Sequence, residues 1–480
     1  MSVIDSISDG LADVFGVLND YIWYVAFVFL IGLGLVFTYK LKGLQILRIR
    51  ETSGLALTGV SEGKHNKTVS SFEAFCIGLG ARIGVGNIAG VAAAIVTGGP
   101  GAIFWMWIFA IIGAASSFME STLAQIYKEK KSDEGFHGGP AYYATKGLGN
   151  KKLGIGLAIL IIFTFGIGFV GVQASNASAA LSNAFEFENN SLVFALIITA
   201  LAAIIIFGGV KIAGKFSAKV VPAMALLWIV FALVVVAMHA GNIPNAFAMI
   251  FKYAFNWDSL IGGGIGAIIV VGLKRGVFSN EAGLGSVANV AATAHVKHPI
   301  KQGLIQSFGV LVDTLIVCTV TALVVLTYGN YADIIGTGLS KVPLVQFIAS
   351  DTFGGTDITG YLIAIFVFVF AFTSLVGYYT MSEANARFAK DNKTFITVVR
   401  LIIILVAFAS AYSMNTDLMD SICDTFMAFM GAVNMIVVAL LSRKVFEAYA
   451  DYRKQKKAGV EEPEFHKDAL SDSTGVTEWE

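Results

Sequence analysis

AFCIGLGARIGVGNIAGVAAAIV, residues Ala74–Val96, is the stretch on which the fold turns. It is apolar and long enough to cross a bilayer, which takes about 20 residues of helix. Its middle, Gly78–Gly90, holds five glycines together with Arg82 and Asn87. Each glycine costs a helix about 1 kcal/mol relative to alanine, so a plain membrane anchor would not gather five at mid-depth. The stretch reads as a broken helix. The backbone groups it frees are tolerated at that depth only if protein or a water-filled cavity shields them from lipid. A small-residue packing seam is the alternative reading. Gly84-Val85-Gly86-Asn87-Ile88-Ala89 also fits GxGxxA, but a dinucleotide site needs a preceding strand and a soluble βαβ unit. The sequence offers neither.

Composition places this segment in a polytopic membrane protein. The chain has 480 residues, 56% hydrophobic and 14% charged, with a mean hydropathy of +0.74, far above a soluble chain. A formal net charge of zero gives no sign of nucleic-acid binding. Cys76, Cys318 and Cys423 all lie in apolar segments without a CxxC or Cys/His cluster. Neither a disulfide framework nor a metal-cysteine site is expected. The first 20 residues lack lysine and arginine. A cleavable signal peptide needs a basic start, so the N-terminus is expected to be retained.

Residues 1–70 hold an amphipathic interfacial stretch to Asp20, helix 1 (Tyr21–Tyr39) and a basic loop. Residues 71–239 hold the broken helix 2, helix 3 (Ala102–Tyr127), helix 4 (Leu153–Asn183), helix 5 (Leu192–Phe207) and helix 6 (Ser217–His239). Residues 240–446 hold helix 7 (Ile261–Ala294), interrupted by GLKRGVFSNEAGLGS at Gly272–Ser286, and four further spans. These are helix 8 (Ile300–Tyr328), helix 9 (Asp357–Phe388), helix 10 (Phe395–Tyr412) and helix 11 (Met419–Phe446), with a long loop Gly329–Thr356 between helices 8 and 9. Residues 447–480 are charged and read as a mostly disordered tail.

That makes eleven spans. Lysine and arginine concentrate in the loops after helices 1, 3, 5, 7 and 9 and in the tail, against only Lys252 and Lys341 on the opposite side. The positive-inside rule then puts the N-terminus outside and the C-terminus in the cytoplasm. Helices 2–6 and 7–11 form two halves of five spans, and an odd number makes them run in opposite directions. Each half opens on an interrupted helix. Interrupted segments at matching positions of inverted halves are the sequence signature of a transporter binding site.

The residues at the breaks suggest what binds. A half-helix starting near Gly86 aims free N–H groups and a positive dipole end at an anion, so the amides of Val85 and Gly86 suit a carboxylate. The carbonyls of Gly80 and Ile83 end the preceding half-helix and suit a small hard cation, which prefers oxygen. Thr373 and Ser374, adjacent hydroxyls in helix 9, are partners for that cation; back-bonding to the preceding turn is the alternative. In helix 7, Phe278 and Ser279 line the pocket, while Lys274, Arg275 and Glu281 form internal ion pairs holding the break open. Gln173 in helix 4 is either a substrate contact or inter-helix glue. Glu73, Glu120 and Glu383 lie near span ends and suit snorkelling or paired roles. Asp313 lies mid-span and is the candidate proton site.

The runs GARIGVGNIAGVAAA, GGPGAIFWMW, GGPAYY and GLKRGVFSNEAGLGS, taken in order over nearly the whole chain, closely resemble the alanine or glycine:cation symporter family. That resemblance implies an all-α polytopic membrane protein with the leucine-transporter-like 5+5 inverted repeat, discontinuous helices 2 and 7, and one extra N-terminal helix. It implies that Val85, Gly86, Asn87 and Gln173 contact the substrate or its ion, and that Phe278 and Ser279 close the pocket. It places sodium near Gly80, Ile83, Thr373 and Ser374. Tyr378 stands where some members carry tryptophan, and it would shape the side-chain end of the pocket. Val85 stands where members often carry threonine, which leaves only the backbone to serve as a ligand there. Arg82 stands where some members have threonine, so its role is open.

The function expected is secondary active transport: sodium-coupled uptake of alanine or glycine across the plasma membrane by alternating access. No cofactor is implied beyond the co-transported sodium ion. The partners expected are the small amino acid, sodium and the lipid bilayer, with no nucleic acid. Proton coupling through Asp313, and glutamine or another small neutral amino acid as cargo, are the alternatives. No catalytic motif points to an enzyme, and no continuous polar stripe points to a channel.

Overall fold

Apolar runs of this length fold as helices because only a helix satisfies its own backbone in lipid. The computed structural model describes residues 3–58, 69–131, 135–208, 210–255 and 264–480. Helix α1 spans Val3–Lys40. The first broken helix follows as α2 (Ser71–Arg82), a 3-10 turn (Val85–Asn87) and α3 (Ala89–Gly98). Then come α4 (Gly101–Ile126), a short hairpin β1 (Glu129–Lys131) and β2 (Gly135–His137), and α5 (Pro140–Gly147). Next are α6 (Lys151–Ala184), α7 (Asn190–Gly208), α8 (Val210–Met238) and α9 (Ile243–Ala254).

The second broken helix is α10 (Gly264–Asn280) and α11 (Ser286–Thr293). It is followed by α12 (Pro299–Tyr328), α13 (Tyr331–Gly336), α14 (Lys341–Thr352), α15 (Asp357–Ala389), α16 (Lys393–Ser413) and α17 (Thr416–Lys457). Among the described residues, nine helices are long and apolar enough to cross a membrane. They coincide with the nine uninterrupted spans expected, and the two interrupted segments occupy the other two places.

Several expectations are corrected. The N-terminal amphipathic stretch is continuous with helix 1 from Val3 onward. The loop Gly329–Thr356 carries α13 and α14. The second break is narrower than Gly272–Ser286: α10 stays helical to Asn280, so only Glu281–Gly285 leaves the helix. The expected start of that helix at Ile261, and Lys64 and Lys67 of the basic loop, lie outside the described residues. The tail is ordered: α17 runs on to Lys457, and Phe465, Leu470, Val476 and Trp479 are buried.

The packing divides into two groups. Helix α4 packs chiefly on α10, α11 and α12, while α15 packs on α6, α8 and α14. Helix α2 touches both groups, through α11 and α12 on one side and α8 and α15 on the other. Residues such as Leu196, Ile204, Leu226, Leu227, Leu401 and Leu405 are exposed on α7, α8 and α16, giving the bundle its lipid-facing surface.

At the basic end His298 caps α12. Its Nδ1 accepts from Ile300 N–H at 3.2 Å, so Nε2 carries the proton and faces Asp451 at 3.4 Å. Burial, with Lys301 nearby, pushes its pKa down to about 3. The unfolded chain takes up that proton below its ordinary value of about 6.5. Stability is therefore lost as pH falls from about 6.5 toward 3, by up to ~1.4 kcal/mol per pH unit. Thermal unfolding in detergent between neutral pH and about pH 5 should show this slope, and His298→Asn, which keeps the cap, should flatten it.

Candidate binding site at the two interrupted helices

The first break opens where Ile83 and Gly84 leave helical geometry between α2 and the 3-10 turn. Two amides released there find side-chain acceptors. Gly84 N–H donates to Asn87 Oδ1 at 3.0 Å, and Val85 N–H donates to Gln173 Oε1, from α6, at 3.0 Å. Close approach explains the glycines. A Cβ on Gly84 would lie 2.5 Å from Ser374 Oγ, and one on Gly86 would lie 2.8 Å from the Phe278 ring.

The second break is held by a carboxylate. Glu120 from α4 accepts Gly285 N–H at 2.9 Å and Gly283 N–H at 3.4 Å, next to the start of α11. Asn434 Nδ2 donates to Glu120 Oε2 at 2.9 Å and to Gly283 O at 2.8 Å, and Tyr143 donates to Asn434. Glu120 is thus buried rather than snorkelling, and makes no ion pair with a described residue, contrary to expectation. Glu383 is paired, with Arg387 and Arg400, and Glu73 completes a capping box with Ser70.

Two oxygen clusters flank the first break. In one, Ser374 Oγ donates to Gly80 O at 2.8 Å and lies 3.5 Å from Ile83 O. Thr373 does not join it; its hydroxyl turns to Phe370 O at 3.0 Å and Met224 Sδ at 3.4 Å. In the other, Asp313 receives Asn87 Nδ2 at 2.7 Å, Ser279 Oγ at 2.7 Å and Thr314 Oγ1 at 2.9 Å. Asp313 sits on a π-helical stretch, Val312–Cys318, within α12; such bulges recur at functional sites. The carboxylate is fully buried and has no lysine or arginine at ion-pair distance among the described residues. An uncompensated buried charge is costly, so this carboxylate suits either a proton or a small hard cation shared with the Ser279 and Thr314 hydroxyl oxygens.

Arg82 is 1% exposed. Its guanidinium donates to Asn280 O at 2.8 Å, Gln306 O at 2.9 Å and Ser117 Oγ at 2.9 Å, joining the two breaks to α4 and α12. The expected pairing of Lys274 and Arg275 with Glu281 is not found. Lys274 and Arg275 reach Asp424 on α17, at 2.7 and 3.4 Å, and Glu281 makes no ion pair with a described residue. Nearly two turns of α10 separate Lys274 and Arg275 from the break, and both line the vestibule beside Asp424.

Aromatic rings close the pocket. Phe278 stacks on Phe169 at 5.1 Å, and Tyr378 lies 4.9 Å from Phe169 with its hydroxyl donating to Ala81 O at 2.8 Å. A neck of about 10 Å³, lined by Val85, Gly86, Asn176, Arg275 and Phe278, leads to a vestibule of about 550 Å³. Lys341, paired with Asp417 and Asp420 at 2.7 and 2.9 Å, lines that vestibule beside Arg275 and Asp424.

The sequence brings forward Gly80, Ile83, Val85, Gly86, Asn87, Gln173, Phe278, Ser279, Ser374 and Tyr378, and all of these meet around the two breaks. Glu120 was not expected there, nor was the convergence of Asn87 and Ser279 on Asp313. A mid-span acid was visible in the sequence, but its partners lie 34 and 226 residues away.

A helical membrane bundle with two facing helix breaks, walled by buried oxygens, defines a secondary transporter. Residues 8–467 match the sodium:alanine symporter family, and the chain belongs to it. A probable sodium/glutamine symporter of Bacillus subtilis is 44% identical over 98% of this chain and 96% of its own length. The sodium/alanine symporter of Methanococcus maripaludis is 36% identical over 91% and 97%. Among solved structures, MhsT in complex with L-phenylalanine aligns with a TM-score of 0.56 at 15% identity, covering 77% of this chain and 88% of its own. That likeness concerns the fold.

Glu120→Ala should destabilise the protein by at least about 2 kcal/mol, because two backbone donors at the second break lose their acceptor. A lowered thermal midpoint in detergent checks this, with Glu120→Gln, which keeps one oxygen, falling between.

Proposed function

We propose that the protein carries alanine, or another small neutral amino acid such as glycine, into the cell together with sodium. The observation that carries this reading is the pairing at the first break. It presents carbonyl oxygens on one side, facing Ser374, and amides on the other, facing Gln173. A cation suits the former and a carboxylate the latter. In the resting arrangement Gln173 Oε1 holds the Val85 amide; the substrate carboxylate takes its place, and the glutamine amide is then free to donate to it. Phe278, resting on Gly86, and Tyr378 leave room for a small side chain only.

Sodium at Gly80 O, Ile83 O and Ser374 Oγ links α2 to α15. Asp313, Ser279 and Thr314 supply a second oxygen set beside the substrate carboxylate, and Asn87 Nδ2 donates to Asp313 there. Each ligand orders the segment the other binds, and that differential affinity is the coupling. The basic end of the bundle faces the cytoplasm by the positive-inside rule, which sets the vestibule toward the outside of the plasma membrane. No bond is made or broken in the cargo.

Glutamine is a second reading. Asn176 lines the neck and offers an amide partner to a longer amide side chain once the Phe278 ring moves off Gly86, and a relative at 44% identity is named for glutamine.

Proteoliposomes loaded without sodium should accumulate labelled alanine saturably when sodium is added outside. Ser374→Ala should raise half-saturating sodium by at least ~10-fold, a loss of about 1.4 kcal/mol. Asp313→Asn should flatten the sodium dependence. Accumulation driven by a proton gradient alone would transfer the coupling to Asp313, and preferential uptake of glutamine over alanine would select the second reading.

A further inference from the structure

The C-terminal segment, residues 459–480, is used by none of the chemistry above, yet it is built into the basic end of the bundle. Phe465 and Trp479 meet edge to face at 5.3 Å, and both are buried. The segment is fastened at both ends of its path. Phe465 N–H donates to Lys297 O at 2.9 Å, and Lys297 Nζ reaches Glu462 and Glu464 at 3.0 and 3.1 Å. Lys444 of α17 pairs with Asp472 at 2.8 Å, and Lys146 of α5 donates to Thr477 at 2.9 Å. Gly475, at φ +80°, lies so close to Lys146 O that a Cβ would be 2.5 Å away.

What lies beneath Trp479 is the lacing between the inner half-helices. His295 N–H donates to Val69 O at 3.2 Å, tying the end of α11 to the start of α2. Gln125 Nε2 donates to Ala291 O and Ala294 O, the last carbonyls of α11. Lys128, 2% exposed, donates to Gln125 Oε1 at 2.8 Å and lies between the Phe136 ring at 4.2 Å and the Trp479 ring at 4.5 Å. The Trp479 indole N–H donates to Gln125 O at 3.0 Å. For a path to open at this end, α2 and α11 must part, and these contacts must break.

We propose that residues 459–480 form an autoinhibitory strap that docks on a site of its own chain and holds the inner ends of α2 and α11 together. The site recognises an acidic segment bearing two aromatic rings. Cation–π contact and indole hydrogen bonding at Lys128 and Gln125 read Trp479, while Lys297 reads Glu462 and Glu464. This rests on the transporter reading only for its consequence, a brake on inward opening; the docking itself does not depend on the cargo.

The test uses full-length Trp479→Ala beside a chain shortened after Ala458, both in detergent and in proteoliposomes. Amide exchange across Ser71–Arg82 and Ser286–Thr293 should rise at least ~5-fold in Trp479→Ala. A labelled peptide of residues 459–480 should bind the shortened chain, and its Trp479→Ala version should not. Adding the peptide to the basic side of the shortened transporter should slow alanine uptake and restore slow exchange. Exchange raised in residues 459–480 alone would overturn the proposal, as would uptake unchanged or slowed in a folded Trp479→Ala protein. If the wild type carries no alanine, the transport reading fails while peptide binding and exchange still decide the strap.

Discussion

A backbone group freed inside a membrane must find a partner, and the rest of this structure is arranged around that requirement. Each unsatisfied amide or carbonyl at that depth costs several kcal/mol. Two helices are broken here, so the protein must supply acceptors and donors from elsewhere. At the second break it does so with a carboxylate and two amides: Glu120 and Asn434 take the Gly283 and Gly285 groups, and Asn280 Oδ1 takes Ala282 N–H at 3.0 Å. At the first break the partners are a neutral hydroxyl and a neutral amide, Ser374 and Gln173. Neutral partners are exchangeable for charged ligands, which bond the same groups about twice as strongly. The permanent repair and the exchangeable one thus separate scaffold from site.

Buried charge follows the same division. Arg82, beside the first break, spends its donors on two carbonyls and a hydroxyl drawn from the edge of the second break, α12 and α4. A planar fork is suited to this task where a lysine is not. Gly309 makes the room: a Cβ there would meet the guanidinium at 2.5 Å. Asp313, by contrast, is surrounded by neutral donors alone. One buried charge is fully occupied within the fold and the other is poised for a mobile partner.

Much of this was legible in the sequence because glycine density and charge in an apolar run are local signals. The first break was placed within a few residues on that basis. The second was drawn too wide because Lys274 and Arg275 read as ion pairs of Glu281 holding the break open, whereas their partner Asp424 lies about 150 residues on and α10 continues to Asn280. Thr373 and Ser374 were indistinguishable as adjacent hydroxyls. A helix turns 100° per residue, and here Ser374 faces the Gly80 carbonyl while the Thr373 hydroxyl back-bonds to Phe370 O. The tail misled through its composition. Its few apolar side chains are too sparse to form a core alone, and they fold by covering a surface that the bundle already presents. Tyr378 was reached through family resemblance, since nothing about a tyrosine in an aromatic-rich helix marks it locally.

The two oxygen clusters differ in what they join, and that difference bears on how transport is timed. Asn87 of the first break meets Ser279 of α10 and Asp313 of α12, and α10 and α12 belong to one packed group. On the proposed reading, an ion held there would complete the carboxylate pocket within that side of the boundary. Gly80, Ile83 and Ser374 join α2 to α15, the centre of the other group. An ion there crosses the boundary along which the groups must slide. On the proposed reading, losing an ion between Gly80 O and Ser374 would loosen the contact between α2 and α15 directly, whereas losing one beside Asp313 would weaken only the pocket. Release would then proceed from the boundary inward, with α2 freed from α15 before the cargo is exposed. The same helix whose break forms the site is also the one whose inner end must move, which is why its few polar contacts carry both binding and gating.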